Sequence, residues 1–305
     1  MHSSPRLFRW SPWIYFGLAH YAFNFFQIYR YVVTRAKGTT KLKTTLVITT
    51  YNWPEALRAV LDSVLCQSEL PDEVIIADDG SKDETKTLIN GYYQKFSIPL
   101  IHSWIPDNGF QLAKSRNQAI AKATGDYIVM VDGDMFLSNT FIQSHKHVAK
   151  SNQFVQGGRV LTDLASSQSI MNNNVLPSIF SNGIRNRNNC ISNPLLSRIF
   201  SFNRNNDKST RGCNMAFWHD DIIKVNGFNE EFVGWGREDS DFVHRMLNNN
   251  INRLYLKFAG IGYHLFHTEN SRAALKKNDE ILKNTIANKL ESCTNGISKY
   301  LESTL

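Results

Sequence analysis

The chain has 305 residues, of which 42% are hydrophobic, and this is enough to bury a large core in one domain or two smaller ones. Seven of its 34 Lys and Arg residues precede Glu55 with no acidic residue among them, and the remaining 27 match the 27 Asp and Glu residues. The balance argues against a nucleic-acid-binding protein, and four widely spaced cysteines argue against a disulfide framework and fit a reducing compartment.

Residues 1–42 are predicted to form an aromatic and basic arm. Ten aromatic side chains lie between positions 10 and 33, while His20, Asn24 and Gln27 recur at helical spacing and would form one narrow polar stripe. Aromatic amphipathic helices with basic flanks favour anionic membrane surfaces. We therefore expect a peripheral position on the cytoplasmic side of the inner or plasma membrane. Packing on the protein's own domain and spanning the bilayer are the alternatives.

From Thr45 onward the pattern alternates between strands and helices. Runs of β-branched and aliphatic residues predict strands at 45–50, 73–77, 98–104 and 128–131, with helices at about 54–66, after 82 and at 111–123. This alternation indicates a mostly parallel sheet with helices packed on it, an α/β fold. No Gly-x-Gly-x-x-Gly follows the first strand, so a dinucleotide site is not supported.

Three of the predicted strands end in carboxylate or hydroxyl side chains. The carboxyl ends of parallel strands face the crevice where open α/β sheets bind ligands, and carboxylate oxygens suit Mg²⁺ or Mn²⁺. A plain turn at Asp132-Gly133-Asp134 is the alternative, because Asp and Gly are common turn formers. The side chains at these strand ends are Thr49, Tyr51, Asp78, Asp79, Asp132 and Asp134.

Four short motifs follow one another in this part of the chain. They are Ile-Thr-Thr-Tyr-Asn at 48–52, Asp-Asp-Gly-Ser at 78–81, Ala-Lys-Ser-Arg-Asn at 113–117 with Gly-Asp-Tyr at 125–127, and Asp-Gly-Asp at 132–134. In this order, within about ninety residues, they resemble the nucleotide-sugar half of inverting family-2 glycosyltransferases. The resemblance implies a GT-A-type, Rossmann-like sheet with helices on both faces.

The middle of the chain is irregular and rich in asparagine between residues 172 and 206. Such a composition opposes a packed core and predicts a surface excursion. A loop that closes on substrate and a solvent-exposed loop without such a role are both open.

A second motif, Gly-Trp-Gly-Arg-Glu-Asp, occupies residues 234–239 at the start of a predicted helix. It resembles the Gly-Trp-Gly-x-Glu-Asp motif of bacterial galactosyl- and N-acetylgalactosaminyltransferases. The resemblance implies that Asp239 is the catalytic base, and that Glu238 assists it and binds the acceptor together with Trp235. The alternative is that both acids only interact with the helix dipole.

Two histidines, His264 and His267, follow this helix among apolar residues. In the resembling enzymes a histidine at this point completes the metal site. The resemblance therefore implies a Mn²⁺ (or Mg²⁺) site made by Asp134 and His267, with His264 as the second choice.

The predicted organisation is the arm at 1–42, a GT-A domain at 43–268 and a helical tail at 269–305. Within the domain, residues 43–136 form the nucleotide-sugar half and 137–268 the acceptor half.

The implied reaction is inverting, metal-dependent transfer of a hexose from a UDP-sugar to a hydroxyl of a glycan or glycolipid. We expect it to serve cell-surface polysaccharide or lipopolysaccharide synthesis. A base removes the hydroxyl proton and a cation neutralises the departing diphosphate. The implied donor contacts are Asp132 at the ribose, Thr49, Tyr51 and Asp79 at the uracil, and Arg116 at the diphosphate. A non-catalytic carbohydrate-binding or scaffold protein is the alternative.

Overall fold

A computed structural model describes residues 42–268 and 271–301 of the chain. The predicted amphipathic helix of the arm lies outside these residues. Among the helices that are described, none is both long enough and apolar enough to cross a bilayer.

Four parallel strands form the first half of the main sheet: β1 (Thr44–Thr50), β2 (Glu73–Asp78), β3 (Leu100–Trp104) and β4 (Tyr127–Asp132). They lie in the order β3-β2-β1-β4. Every residue of β1 is buried, as expected for a strand covered on both faces. The helices between them are α1 (Pro54–Leu65), α2 (Asp83–Asn90) and α3 (Leu112–Ala121). The prediction of an α/β fold with a mostly parallel sheet is confirmed.

The second half extends this sheet beyond β4 with β10 (Asn214–Trp218), β6 (Gln153–Gly157), β11 (Asn252–Leu256) and β9 (Phe202–Asn203), in that order. β10 runs antiparallel to both of its neighbours, whereas β11 runs parallel to β6. The second half is therefore mixed in direction.

A smaller sheet has the order β5-β12-β7-β8, formed by β5 (Met135–Leu137), β12 (Gly262–His264), β7 (Arg159–Thr162) and β8 (Ile184–Arg185). In the antiparallel pair of β5 and β12, Met135 lies opposite His264. This register places Asp134, which directly precedes β5, beside the end of β12.

The remaining helices are α4 (Phe141–Val148), α5 (Leu164–Asn173), α6 (Pro194–Phe200), α7 (His219–Lys224), α8 (Glu238–Asn248), α9 (Leu275–Ala287) and α10 (Ser298–Leu301). The asparagine-rich segment 172–206 carries α6, β8, β9 and a 3₁₀ turn at Arg187–Cys190. It is thus built from short elements.

Helices pack against the main sheet and against the small sheet. On one face Val47 and Met130 pack with Ile120 of α3 and Phe242 of α8. A second cluster joins Ala56 and Ala59 of α1 to Phe136 and Tyr263 of the small sheet.

A buried ion pair within α8 accepts a hydrogen bond from α9, the next helix along the chain. Arg245 Nη2 lies 2.8 Å from Asp241 Oδ2, and both side chains are fully buried. Thr285 of α9 donates to Asp241 Oδ1 at 2.6 Å. Residues 271–301 therefore belong to the same compact unit, which begins at Lys43.

Asp241→Asn should destabilise the protein by about 3–5 kcal/mol, because it leaves the buried guanidinium of Arg245 without its counter-charge. Chemical denaturation monitored by circular dichroism measures this loss. The matched control is Asp279→Asn, which removes the partner of the exposed Arg237 and should cost less than about 1 kcal/mol. Equal effects of the two variants would contradict the prediction.

Candidate active site

The guanidinium of Arg116 is the centre of the site. Arg116 belongs to α3 and is 1% exposed. Its Nη1 donates to Asp239 Oδ1 at 2.7 Å and lies 3.7 Å from Glu238 Oε1, while its Nη2 donates to Asp132 Oδ1 at 3.3 Å. One side chain thus joins the end of β4 to the first turn of α8.

Asp132 is held from the other side by Thr49, whose hydroxyl donates to Asp132 Oδ1 at 2.9 Å. Burial raises the pKa of Asp132, and the Arg116 guanidinium opposes this. The register explains the contact, because Thr49 of β1 lies directly beside Asp132 of β4.

Asp239 accepts a further hydrogen bond, at 2.6 Å from the backbone N–H of Gly212 to Oδ2. A side chain at position 212 would overlap both the Asp239 carboxylate and the Arg116 guanidinium, so the close approach requires glycine. The side chain of Asp239 remains 21% exposed, whereas that of Glu238 is 9% exposed.

Glu238 is the more enclosed of the two acids. Burial, and after it the adjacent Asp239, raises the pKa of Glu238 to about 8. Glu238 Oε2 has no hydrogen-bond partner within the described residues.

The backbone entering α8 is unusual. Gly236 has φ +105° and Arg237 has φ +81°, and the left-handed conformation is costly for a residue with a side chain. Gly236 adopts its positive φ at no steric cost, and the resulting turn presents Glu238 and Asp239 at the start of the helix.

A second group of ligands lies at the edge of the small sheet. His267 Nε2 lies 3.2 Å and His264 Nε2 3.5 Å from Asp134 Oδ2. One ligand atom from each residue lies within 4.8 Å of the others, and the buried Asp134 Oδ1 has no hydrogen-bond partner in the described part of the chain. Two imidazoles and a carboxylate with a free oxygen fit a divalent cation.

The charges in this group depend on one another. Burial acts to raise the pKa of Asp134, but the two histidines outweigh it and hold that pKa below its usual range. The hydrogen bond that His267 donates to Asp134 raises the pKa of His267 to about 9, and burial lowers that of His264.

Asp79 and Tyr51 face the loop that precedes α3. Asp79 Oδ2 accepts from the Gln111 backbone at 2.8 Å, and burial raises the pKa of Asp79 to about 7. The Tyr51 hydroxyl donates to Asp107 at 3.1 Å. Tyr51 directly follows β1 and Asp79 directly follows β2, so both residues lie at strand ends, as the sequence predicted.

Trp235 lies apart from the carboxylates in its contacts. It is 39% exposed, and the guanidinium of Arg272 lies 5.6 Å from its ring. Within residues 42–268 and 271–301, no hydrogen bond or ring contact joins it to Glu238 or Asp239.

The family model described as "Glycosyl transferase family 2" matches residues 45–209, more than half of the chain. The chain belongs to glycosyl transferase family 2. A second model, "N-terminal domain of galactosyltransferase", matches residues 197–268. The resemblance seen in the sequence motifs is confirmed at the level of the family.

Chondroitin synthase of Pasteurella multocida is 28% identical over 218 residues, which cover 66% of this chain and 22% of the synthase. Chondroitin synthase of Escherichia coli is 27% identical over 224 residues, covering 66% of this chain and 32% of the synthase. The chain thus spans about a fifth to a third of the length of these relatives. The crystal structure of S. aureus TarS 1–349 in complex with UDP-GlcNAc matches 81% of this chain and 67% of TarS, with a TM-score of 0.56 and 17% identity. This likeness shows the fold.

Sequence reasoning missed two contributors to the glycosyltransferase site. Gly212 lies two residues before β10, and its position between Arg211 and Cys213 carried no motif that pointed to Asp239. Arg159 donates to Cys213 Sγ at 3.6 Å and is among the charges that lower the pKa of Asp134. Only the folded structure brings these residues to the site.

Replacing Glu238 should change how stability depends on pH. Between about pH 4.5, its ordinary pKa, and pH 8, the folded protein holds a proton that the unfolded chain has released. Stability from this group therefore falls as pH rises through that window. Glu238→Gln removes this dependence, so its melting temperature should gain on the parent's between pH 5 and pH 8.

Thermal denaturation at several pH values measures the difference. Glu84→Gln is the matched control, because Glu84 is an exposed acid in the first turn of α2. Its difference from the parent should stay constant with pH. Parallel curves for Glu238→Gln and the parent would contradict the prediction.

Proposed function

We propose that this glycosyltransferase moves a hexose from a UDP-sugar to a hydroxyl of a glycan or glycolipid, with inversion, in the synthesis of cell-surface polysaccharide or lipopolysaccharide. The observation that carries the proposal is the contact of one buried arginine, Arg116, with Asp132, Glu238 and Asp239. Arg116 joins Asp132, a candidate for binding the sugar donor at the end of β4, to Asp239, the candidate base. The names of the two chondroitin synthases, and the UDP-GlcNAc in the TarS complex, support a UDP-sugar donor and a polysaccharide product.

Asp239 is the better candidate for the base. It is the more exposed of the two acids, and it accepts hydrogen bonds from the Arg116 guanidinium and the Gly212 N–H, which fix its orientation. Each of its oxygens keeps a lone pair for the proton of an acceptor hydroxyl. Glu238, with its raised pKa, retains a proton near neutrality and can donate a hydrogen bond to the acceptor sugar.

Arg116 holds two carboxylates in position, and this role takes the place of the contact with the diphosphate that the resemblance implies. Its guanidinium is almost fully buried, and both Nη atoms contact carboxylates. It therefore orients Asp239 and Asp132, while Asp132 serves the ribose and Thr49, Tyr51 and Asp79 serve the uracil.

A divalent cation would be held by Asp134, His264 and His267, and when bound it would neutralise charge on the departing diphosphate. Mg²⁺ prefers oxygen ligands, so the two imidazoles make Mn²⁺ the better fit. Both histidines are included, because both lie within reach of Asp134.

Two substitutions separate the roles of base and metal ligand. Asp239→Asn should bind UDP in the presence of Mn²⁺ as the parent does but release UDP from UDP-sugars at least about a hundredfold more slowly, because it lacks the proton acceptor. Asp134→Asn should lose both turnover and the Mn²⁺-dependent part of UDP affinity. Calorimetry, and UDP release from UDP-galactose, UDP-glucose and their N-acetyl forms, measure these effects.

Asp220→Asn is the control, because Asp220 is an exposed acid in the first turn of α7. It should match the parent in both assays. A parent that releases no UDP from any of the four donors, or an Asp239→Asn variant with normal turnover, would overturn the assignment.

We also propose that the arm, residues 1–42, holds the enzyme on the cytoplasmic face of an anionic membrane. The aromatic side chains and the six basic residues of the arm support this, since each basic residue near an anionic surface contributes about 1 kcal/mol. An acceptor built on a lipid would then lie within reach.

Removal of residues 1–42 should release the protein from anionic vesicles while UDP release continues, because the compact unit begins at Lys43. Co-sedimentation with vesicles of anionic and of neutral lipid measures binding. High salt should remove only part of the full-length protein, since aromatic burial is not screened. Full-length protein that stays in solution with anionic vesicles at low salt would contradict the proposal.

A further inference from the structure

A cavity of about 800 Å³ lies beside the second half of the main sheet, formed by residues at the ends of β6, β7, β8 and β11. This volume is in the upper part of the range of ligand pockets. No Asp or Glu belongs to its described lining, which includes six cationic side chains. We name it the basic cleft after those residues: Arg159, Arg185, Arg187, Arg204, Arg211 and Lys257.

Neutral groups hold these cations in place. Arg187 donates to the carbonyls of Ile179 and Ser181, at 2.9 and 2.5 Å. The guanidinium of Arg204 lies 4.5 Å from the ring of Tyr255. Across residues 42–268 and 271–301, none of the six forms an ion pair with a carboxylate. Their mutual repulsion would be relieved by an anion in the cleft.

The cleft is adjacent to the candidate base. Arg211 and Cys213 line it, and Gly212 between them donates its N–H to Asp239. At the same end Arg159 contacts Cys213. A molecule lying in the cleft therefore reaches the point where the acceptor hydroxyl must meet Asp239.

The proposed donor site lies at the ends of other strands. Its candidate ligands Thr49, Asp79 and Asp132 stand at the ends of β1, β2 and β4, which β10 separates from β6 and β11 in the sheet. The nucleoside end of the donor is therefore separate from the cleft. Its diphosphate would lie toward Asp134, His264 and His267, none of which lines the cleft, and Arg159 is the cleft residue that also acts on Asp134.

We propose that the basic cleft binds the acceptor, and that this acceptor is an anionic glycan whose carboxylate or phosphate groups pair with the arginines. This inference rests on the proposed function. Guanidinium groups form paired hydrogen bonds with carboxylates and phosphates alike, so uronate-bearing and phosphate-bearing chains share the chemistry. The asparagine-rich segment supplies one wall, where Asn189 donates to the Arg159 carbonyl at 2.8 Å.

The test measures binding of three probes to the full-length protein by calorimetry. They are a hexasaccharide of alternating glucuronate and N-acetylhexosamine, an oligomer of ribitol phosphate, and a neutral N-acetylglucosamine hexasaccharide. At least one anionic probe should bind more tightly than the neutral one, and its affinity should fall as salt rises. The double variant Arg185→Gln/Arg211→Gln should weaken that binding about tenfold. The same variant should raise KM for the anionic acceptor.

Arg198→Gln/Lys276→Gln is the matched control, because both side chains are exposed and lie outside the cleft. It should bind every probe as the parent does. Equal affinity for neutral and anionic probes, or unchanged binding by the cleft variant, overturns the inference. Single-stranded DNA is measured as a further competitor in the same way, and tighter binding of it than of both anionic glycans overturns the inference too. UDP release from the four donors is scored separately, so a parent without it contradicts the proposed function and leaves the binding result to judge the cleft.

Discussion

The buried guanidinium of Arg116 is the interaction on which the candidate site depends. A buried charge is tolerated only when it is paired and hydrogen-bonded, and here the charged partners are Asp132 and Asp239, with Glu238 lying 3.7 Å away. These residues belong to parts of the chain that are more than a hundred positions apart. The two halves of the domain must therefore fold together before any of these charges is compensated. The same requirement fixes the start of α8, and Arg237, the residue directly before it, adopts a left-handed conformation.

The metal group follows from a different constraint, the register between β5 and β12. Because Met135 lies opposite His264, the residue before β5 faces the residues after β12. A shift by one residue would turn the side chains to the other face of the sheet and separate Asp134 from the histidines. The pairing of β5 with β12 thus brings the candidate metal ligands together, as Arg116 brings the carboxylates together.

The sequence could predict what is local and periodic. The strands β1 and β4 are recognisable because they are buried on both faces, and their centres, 46–48 and 128–131, are runs of aliphatic residues and methionine. The motifs placed Asp132, Asp134 and Asp239 at strand or helix ends. The short strands β5, β7 and β12 have no such pattern, since three or four residues carry no period. Nor could spacing show that Gly212 donates to Asp239, because contacts between distant segments depend on the completed sheet.

The charge balance of the sequence conceals a division that matters for substrate binding. Beyond residue 54, positive and negative residues are equal in number, yet Asp132, Asp134 and Asp239 lie together at the candidate site while the basic cleft has no acidic residue in its described lining. A negative group beside a positive cleft gives two adjacent regions of opposite potential, and each raises the local concentration of the opposite charge. A cation is drawn to one and an anion to the other. Asp239 lies between them, because Gly212 contacts it while Arg211 and Cys213 line the cleft. An acceptor that carries its own negative charge would therefore be attracted along the cleft but repelled by the acids themselves, which favours presenting a neutral hydroxyl, the group that reacts, to Asp239.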